Sequence, residues 1–226
     1  MKKLFARCSN TSRFVAAMER LQEREGDLPG MALVFGEPGL GKTKTALWWA
    51  LQNNGVFVRT KKLMSGRWLL EEIVAELGES PAYRTSDLFR QCVEQLLARP
   101  RTLFIDEVDY LAYDARVLET LRDIHDVAGT PMVFIGMDKA DKKLNRYRHL
   151  YDRFMEVVRF QPLTRDDVAA VAEQLCEVRL TGDAIDLIYA DAGRFRQVIK
   201  WFYRAEAIAR ASNAPEISGA DLNGRK

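Results

Sequence analysis

The sequence has few residues that could build a disulfide framework or a structural zinc site. Its 226 residues include three cysteines and two histidines. The cysteines, Cys8, Cys92 and Cys176, are far apart, and no two of them form a C-x-x-C pair. Disulfide scaffolds and zinc sites need closely spaced ligands. We therefore expect neither, and we expect the protein to work in a reducing cytosol.

Long apolar runs are also missing. The longest are the length of a strand, which is too short to cross a bilayer. The first ten residues, MKKLFARCSN, contain no apolar core of the length that a secretory signal needs. Net charge is only +2, which neither demands nor excludes a nucleic-acid partner, so only local clusters of charge are informative.

A phosphate-binding motif organises the chain. Residues 36–43 read GEPGLGKT and match the pattern G-x-x-x-x-G-K-[ST]. They follow the apolar run 31–35 and precede a helical pattern, which is the strand–loop–helix context that the motif requires. The alternative is a glycine-rich turn that only links a strand to a helix. The predicted nucleotide-binding residues are Gly36, Glu37, Pro38, Gly39, Leu40, Gly41, Lys42, Thr43 and Lys44.

Each part of this motif has a predicted task. The glycines allow backbone N–H groups to point at phosphate oxygens, and the start of the following helix adds its positive dipole end. Lys42 is expected to reach the β- and γ-phosphates, and the hydroxyl of Thr43 is expected to bind Mg²⁺. The sequence therefore predicts a site for ATP and Mg²⁺.

Two acids at the end of another apolar strand form the second signal. Asp106 and Glu107 follow the run 102–105, TLFI. We predict that Asp106 joins Thr43 in holding Mg²⁺, and that Glu107 acts as the general base that polarises a water. The alternative is that the two acids merely end a strand. Together with the phosphate motif, the pair indicates a hydrolytic site.

Apolar strands alternate with helical patterns over most of the chain, which is typical of a parallel sheet covered by helices. The first helix is predicted over 11–25, with its end at Gly26. A capping box at Thr164 begins an all-helical region, broken near 181 and 192. The predicted organisation is a nucleotide-binding core over 1–163, a helical lid over 164–213 and a flexible tail over 214–226.

These motifs resemble those of AAA+ ATPases, with a P-loop, a parallel α/β sheet and a small all-α lid. Within that class the chain resembles the transposition-regulator ATPases, the group of TnsC, TniB and the phage Mu B protein. The resemblance implies ring or helical self-assembly. It also implies an arginine finger acting in trans, for which Arg153 fits best and Arg146 and Arg148 are rivals, and a lid arginine, Arg196, that reaches the nucleotide. The polar sensor that normally ends the fourth strand is replaced here by Met137 or Asp138.

The segment 59–68, RTKKLMSGRW, follows the second strand and carries four cations. Such a loop suits contacts with DNA phosphates, which carry no base information, so little sequence specificity is expected. The alternative is a charged loop that only aids solubility. A second basic run over 139–153 is assigned to a subunit interface. The predicted DNA-binding residues are Thr60, Lys61, Lys62, Ser65 and Arg67.

We therefore expect a cytoplasmic, bacterial or phage-encoded Mg²⁺-dependent ATPase that assembles on duplex DNA. The resemblance implies that it regulates transposition through a transposase partner, with no role at a membrane. Two alternatives are a helicase-loader or initiator-like switch, and a nucleotide-gated protein-interaction switch that does not bind DNA.

Overall fold

A computed structural model describes residues 1–25 and 28–224. A five-stranded parallel sheet has the order β2-β3-β4-β1-β5. Its strands are almost wholly apolar, and β1, β3 and β4 are buried along their full length. This pattern is expected of central strands covered on both faces. The strands are β1 (Met31–Phe35), β2 (Val56–Arg59), β3 (Leu103–Asp106), β4 (Met132–Ile135) and β5 (Phe154–Arg159).

Helices cover the sheet because each has an apolar stripe. On one face, Leu33, Ile105 and Phe134 belong to a core that includes residues of the helices from Gly66 to Ala128. Phe104, the neighbour of Ile105 in β3, packs against Trp49, and their ring centroids are 5.6 Å apart. Up to β5 the helices are α1 (Ser9–Gln22), α2 (Lys42–Gln52), α3 (Gly66–Glu76), α4 (Thr85–Ala98), α5 (Ala115–Ala128), α6 (Ala140–Leu144) and α7 (Arg148–Tyr151).

The described chain forms two compact units. The first contains 14–37 and 42–159 and holds the five-stranded sheet. The second contains 1–13, 38–41 and the residues from Phe160 onward. The N-terminal residues thus group with the C-terminal helices, which the sequence patterns do not predict.

The second unit is mostly helical. Its helices are α8 (Arg165–Leu175), α9 (Gly182–Asp191), α10 (Phe195–Ser212) and α11 (Gly219–Asn223). The capping box at the start of α8 is present, with Thr164 accepting from the backbone of Asp167 and Asp167 accepting from that of Thr164. Asp167 also accepts from the backbone and hydroxyl of Ser9, so one carboxylate ties the N-terminal segment to this helix.

Three details differ from the sequence prediction. Helix α1 ends at Gln22, and its predicted end at Gly26 lies outside the described residues. The region after Thr164 contains a short parallel pair, β6 (Arg179–Leu180) with β7 (Glu216–Ile217). The segment 214–226 is predicted to be a flexible tail; its described part, up to residue 224, contains β7 and α11, with Ile217 and Leu222 buried in the core of this unit, and residues 225–226 lie outside the described residues.

The fold class is confirmed: a parallel α/β sheet flanked by helices precedes a mainly helical unit. Across residues 1–25 and 28–224, no helix has both the length and the apolar character needed to cross a membrane.

Candidate functional site

The phosphate motif forms the loop between β1 and α2. Gly39 and Gly41 have φ angles of +87° and +100°, a backbone conformation that side chains with a Cβ rarely adopt. The loop therefore requires glycine at both positions. Helix α2 begins at Lys42, so the unpaired N–H groups of its first turn face the same end of the loop.

Lys42 is folded back onto this loop. Its Nζ atom donates to the carbonyl oxygens of Gly36 at 2.7 Å and Glu37 at 2.9 Å. The side chain is buried, and this burial lowers its pKa, although nearby Asp106 acts in the opposite direction. A buried ammonium that hydrogen-bonds to neutral carbonyls is well suited to accept an anion.

Thr43 and Asp106 lie together at the carboxyl edge of the sheet. The Thr43 hydroxyl oxygen is 3.2 Å from Oδ1 and 3.1 Å from Oδ2 of Asp106. Asp106 ends β3 and is 1% exposed. Burial raises the pKa of Asp106, while its hydrogen bond from Thr43 acts against that rise.

This pair fits a magnesium ion. Mg²⁺ prefers oxygen ligands in octahedral geometry at 2.0–2.1 Å, which places neighbouring ligand atoms about 3 Å apart. The Thr43 and Asp106 oxygens have nearly that separation. A buried carboxylate whose charge is disfavoured by burial also gains from a cation.

Glu107 follows Asp106 in a left-handed backbone conformation, with φ 58° and ψ 37°. Its carboxylate accepts from the guanidinium of Arg59, with Nε 3.0 Å from Oε1. Arg59 ends β2, which pairs with β3, and its Nε is also 3.6 Å from Asp106. The candidate base is therefore held by a cation from the neighbouring strand.

The end of β4 is fixed by a second acid. Buried Asp109, in the 3₁₀ turn Val108–Tyr110, accepts from the backbone N–H of Met137 at 2.5 Å and from Lys143 Nζ at 3.1 Å. Met137 is exposed and apolar. Asp138 is exposed and pairs with Arg159 of β5. Of the two predicted sensor positions, only Asp138 thus offers a polar side chain.

The predicted arginine finger has an acidic partner in its own chain. Arg153 precedes β5 and contacts Asp126 of α5 through two bonds, of 2.9 Å and 3.1 Å. This contact lowers the pKa of Asp126. The rival candidates Arg146 and Arg148 are both exposed, the first after α6 and the second at the start of α7.

Arg196 lies in the second unit, in the first turn of α10. Its backbone N–H donates to the carbonyl of Gly39 at 3.0 Å. A Cβ added to Gly39 would lie 3.5 Å from the Cβ of Arg196. Arg196 and the middle of the phosphate loop are therefore neighbours within this unit.

The predicted DNA segment connects β2 to α3. Lys61 contacts Glu72 at 2.6 Å, and Arg67 contacts Glu71 at 2.9 Å. Lys62 and Ser65 are exposed, and Ser65 caps α3 by accepting from the N–H of Trp68. Thr60 differs from the other four, because it is 2% exposed and its hydroxyl donates to the carbonyls of Asp106 and Glu107. Its burial removes Thr60 from the surface available to DNA.

Within the first unit, the structure brings together Lys42, Thr43, Asp106 and Glu107 at one edge of the sheet. Arg153 is not part of this group, because its backbone carbonyl bonds to the N–H of Met31, at the opposite end of β1. Sequence reasoning missed the side-chain contacts of Arg59 and Asp109. Arg59 could have been found from strand order, because its neighbour across the ladder is Asp106.

Comparison with known proteins agrees with this geometry. The chain belongs to the AAA domain family, whose model matches residues 24–144. The prediction of an AAA+ P-loop ATPase is therefore confirmed at the level of the family.

The predicted resemblance to transposition regulators is also confirmed by sequence similarity. The chain is 30% identical over 152 residues to the ATP-dependent target DNA activator B of Escherichia phage D108 and to that of Escherichia phage Mu. Each match covers 63% of this chain and 48% of the relative. A potential ATP-binding protein of Staphylococcus aureus is 33% identical over 101 residues, covering 45% of this chain and 34% of the relative. The chain thus spans about half or less of these relatives.

Solved structures share the fold at low sequence identity. The Aeropyrum pernix ORC2 protein has a TM-score of 0.68 and 16% identity, covering 99% of this chain and 70% of the solved chain. Cdc6p from Pyrobaculum aerophilum has a TM-score of 0.65 and 20% identity, covering 97% and 68% respectively.

Proposed function

We propose that this protein is a Mg²⁺-dependent ATPase whose ATP-bound form assembles on duplex DNA and regulates transposition. The observation that carries the catalytic part is the contact of the Thr43 hydroxyl with both oxygens of buried Asp106, beside Lys42. The similarity to two ATP-dependent target DNA activators supports the DNA-directed part.

Binding of the triphosphate uses the loop 36–43. Its N–H groups and those at the start of α2 donate to the phosphate oxygens, and Lys42 exchanges its carbonyl partners for the β- and γ-phosphates. Thr43 and Asp106 would hold Mg²⁺, and the bound ion would supply positive charge to the phosphates. Gly36 to Gly41 and Lys44 complete the binding segment.

Hydrolysis needs a water aligned with the γ-phosphorus. Glu107 accepts a proton from that water as it attacks, and this requires its carboxylate to leave Arg59. Arg153 acts in trans, after release from Asp126, on the γ-phosphate of a neighbouring subunit. Arg196 contacts the nucleotide of its own subunit.

DNA contact is assigned to Lys61, Lys62, Ser65 and Arg67. Because Lys61 and Arg67 already pair with glutamates, each subunit gains little from its own loop. Repetition of the loop along an assembly multiplies the effect, so affinity depends on assembly and therefore on ATP. Contacts of this kind read the phosphate backbone and give little sequence specificity.

The test measures fluorescence anisotropy of a labelled duplex with ATP, with ADP and without nucleotide, at several salt concentrations. We expect tight binding only with ATP. The double variant Lys61→Ala/Lys62→Ala should lower the salt slope by about 0.9 for each phosphate that the loop no longer neutralises. The double variant Lys3→Ala/Lys200→Ala is the control, because it removes the same charge from exposed lysines elsewhere.

Several outcomes separate the candidate functions. ATP turnover that is unchanged by duplex DNA, together with no salt-sensitive binding, would favour a protein-interaction switch. Stimulation of strand transfer by a cognate transposase supports regulation of transposition, whereas delivery of a helicase to DNA would favour a loader.

A further inference from the structure

An ion pair crosses the end of the strand from which the phosphate loop leaves. Arg159 is the last residue of β5 and lies opposite Phe35, the last residue of β1. Its guanidinium lies 6.0 Å from the centre of the Phe35 ring, and its Nη2 atom is 3.1 Å from Oδ1 of Asp138. Because β1 lies between β4 and β5, a contact from β5 to Asp138 must pass the start of the loop.

The same pair is close enough to influence Lys42. The backbone N–H of Gly136, two residues before Asp138, donates to the carbonyl of Val34 at 2.9 Å, and Lys42 Nζ donates to the carbonyl of Gly36, two residues after Val34. A phosphate held by Lys42 would therefore experience the negative charge of Asp138. Arg159 contacts this carboxylate and carries the opposite charge. The position of its guanidinium therefore determines whether that side of the site repels or attracts an anion.

The residues that directly follow β4 do not supply a side chain that could bind the γ-phosphate. The N–H of Met137 is bonded to Asp109, and the Met137 side chain is apolar. Gly136 has no side chain and packs tightly, since an added Cβ would lie 2.4 Å from Cβ of Ala140. Residues 136 and 137 therefore offer no polar side chain to a γ-phosphate.

We propose that Arg159 contacts the substrate, exchanging Asp138 for the γ-phosphate when ATP is bound, so that the pair distinguishes ATP from ADP. This inference rests on the proposed nucleotide site. Both side chains are largely exposed, at 61% for Arg159 and 45% for Asp138. Exposed ion pairs contribute little to stability, so Arg159 can change partner readily. A guanidinium–phosphate contact is charge-assisted on both sides, as is the ion pair that it replaces, and a γ-phosphate offers three acceptor oxygens and more negative charge than one carboxylate.

The experiment measures the affinity of the full chain for Mg²⁺ with ATPγS and with ADP by calorimetry. Arg159→Gln should weaken the affinity for ATPγS about tenfold, the size expected when a charge-assisted hydrogen bond is removed, and that for ADP less than about twofold. Asp138→Asn should bind ATPγS more tightly, because a competing partner and a repelling charge are both removed. Arg159→Lys should recover part of the affinity.

Arg20→Gln is the matched control. Arg20 also forms an exposed ion pair with a residue of β5, Glu156, through two bonds of 2.7 Å and 2.8 Å. It should leave both affinities unchanged. The charge-reversed variant Asp138→Arg/Arg159→Asp separates contact with phosphate from simple bracing. This variant can rebuild the ion pair, but it moves the cation from the end of β5 to the segment that follows β4. It should therefore not recover the preference of the parent protein for ATPγS over ADP.

Equal weakening for ATPγS and ADP in Arg159→Gln, no weakening for either, or full recovery in the charge-reversed variant would overturn the inference. Each of these results leaves the proposed nucleotide site intact, provided that the parent protein binds ATPγS. Absence of binding by the parent would instead refute the proposed function itself.

Discussion

The guanidinium of Arg59 holds the carboxylate of Glu107, with Nε 3.0 Å from Oε1. Arg59 is the last residue of β2, and Glu107 directly follows β3, which pairs with β2. The segment after Arg59 is the one assigned to DNA. Thr60, the next residue, bonds to the carbonyls of Asp106 and Glu107. The candidate base and the start of the candidate DNA segment are thus joined by hydrogen bonds from the side chains of both Arg59 and Thr60.

Arg59→Ala should raise ATP turnover in the absence of DNA. A Glu107 carboxylate that no longer pairs with Arg59 is free to accept a proton from water. An exposed ion pair of this kind contributes up to about 1 kcal/mol, so we expect about a two- to fivefold increase in steady-state hydrolysis. Arg20→Gln, which breaks an ion pair elsewhere, should not change the rate. A fall in turnover would mean that Arg59 supports the base rather than restraining it.

Arg153→Ala should lower turnover of the DNA-bound assembly by about 10³-fold while leaving ATP binding by a single subunit unchanged. The reason is that a finger completes the site of a neighbour and not its own. Mixing Arg153→Ala with Glu107→Gln should restore part of the activity, because the second variant supplies a finger to the intact site of the first. No recovery on mixing, or the same decrease in Arg146→Ala or Arg148→Ala alone, would contradict the assignment.

Asp106→Asn should stabilise the nucleotide-free protein. Burial raises the pKa of Asp106, so the charged carboxylate destabilises the folded state at neutral pH. An amide keeps the contact with Thr43 without that charge. We expect an increase of about 1 kcal/mol in the free energy of unfolding, with Mg²⁺-dependent ATP hydrolysis abolished. Thermal and urea unfolding check the first effect, and a decrease in stability would refute it.

His125 should make the protein less stable in acid. It is buried in α5, with Nδ1 2.7 Å from the carbonyl oxygen of Thr130, and burial lowers its pKa below 6.5. As pH falls below that value the unfolded chain binds a proton before the folded chain does, so stability is lost until the folded pKa is passed. Urea unfolding between about pH 5 and pH 8 should show this slope.

His125→Asn should reduce that dependence on pH, since an amide can donate to the same carbonyl without titrating. His149→Asn is the control, because His149 is exposed at the surface. It should keep the acid-side slope of the parent protein. An identical slope in all three proteins would assign the effect to other groups.

Local sequence patterns predicted the sheet and the phosphate loop well. The reason is that buried parallel strands are read as apolar runs, and the loop needs glycine at positive φ. The contact between Thr43 and Asp106 also follows from chain order, because the loop that leads to Thr43 leaves the carboxyl end of β1 and Asp106 ends β3. These features depend on a few residues close together in sequence.

Other features depend on pairings that sequence patterns do not encode. Thr60 looked like an exposed hydroxyl in a basic loop, but the parallel pairing of β2 with β3 buries it against the carbonyl of Asp106. Strand β7 pairs with β6, although α9 and α10 lie between the two strands in the sequence. A two-residue strand leaves no periodic signal, so the sequence pattern of the C-terminal segment is that of a tail.

The most direct test of the account compares ATP binding and hydrolysis in Glu107→Gln with those of the parent protein, both with duplex DNA and Mg²⁺. We expect the variant to bind ATP with nearly unchanged affinity and to remain on DNA. It should hydrolyse ATP at least about 100-fold more slowly, the size expected for removal of a general base. Hydrolysis by Glu107→Gln at the rate of the parent protein would contradict the account.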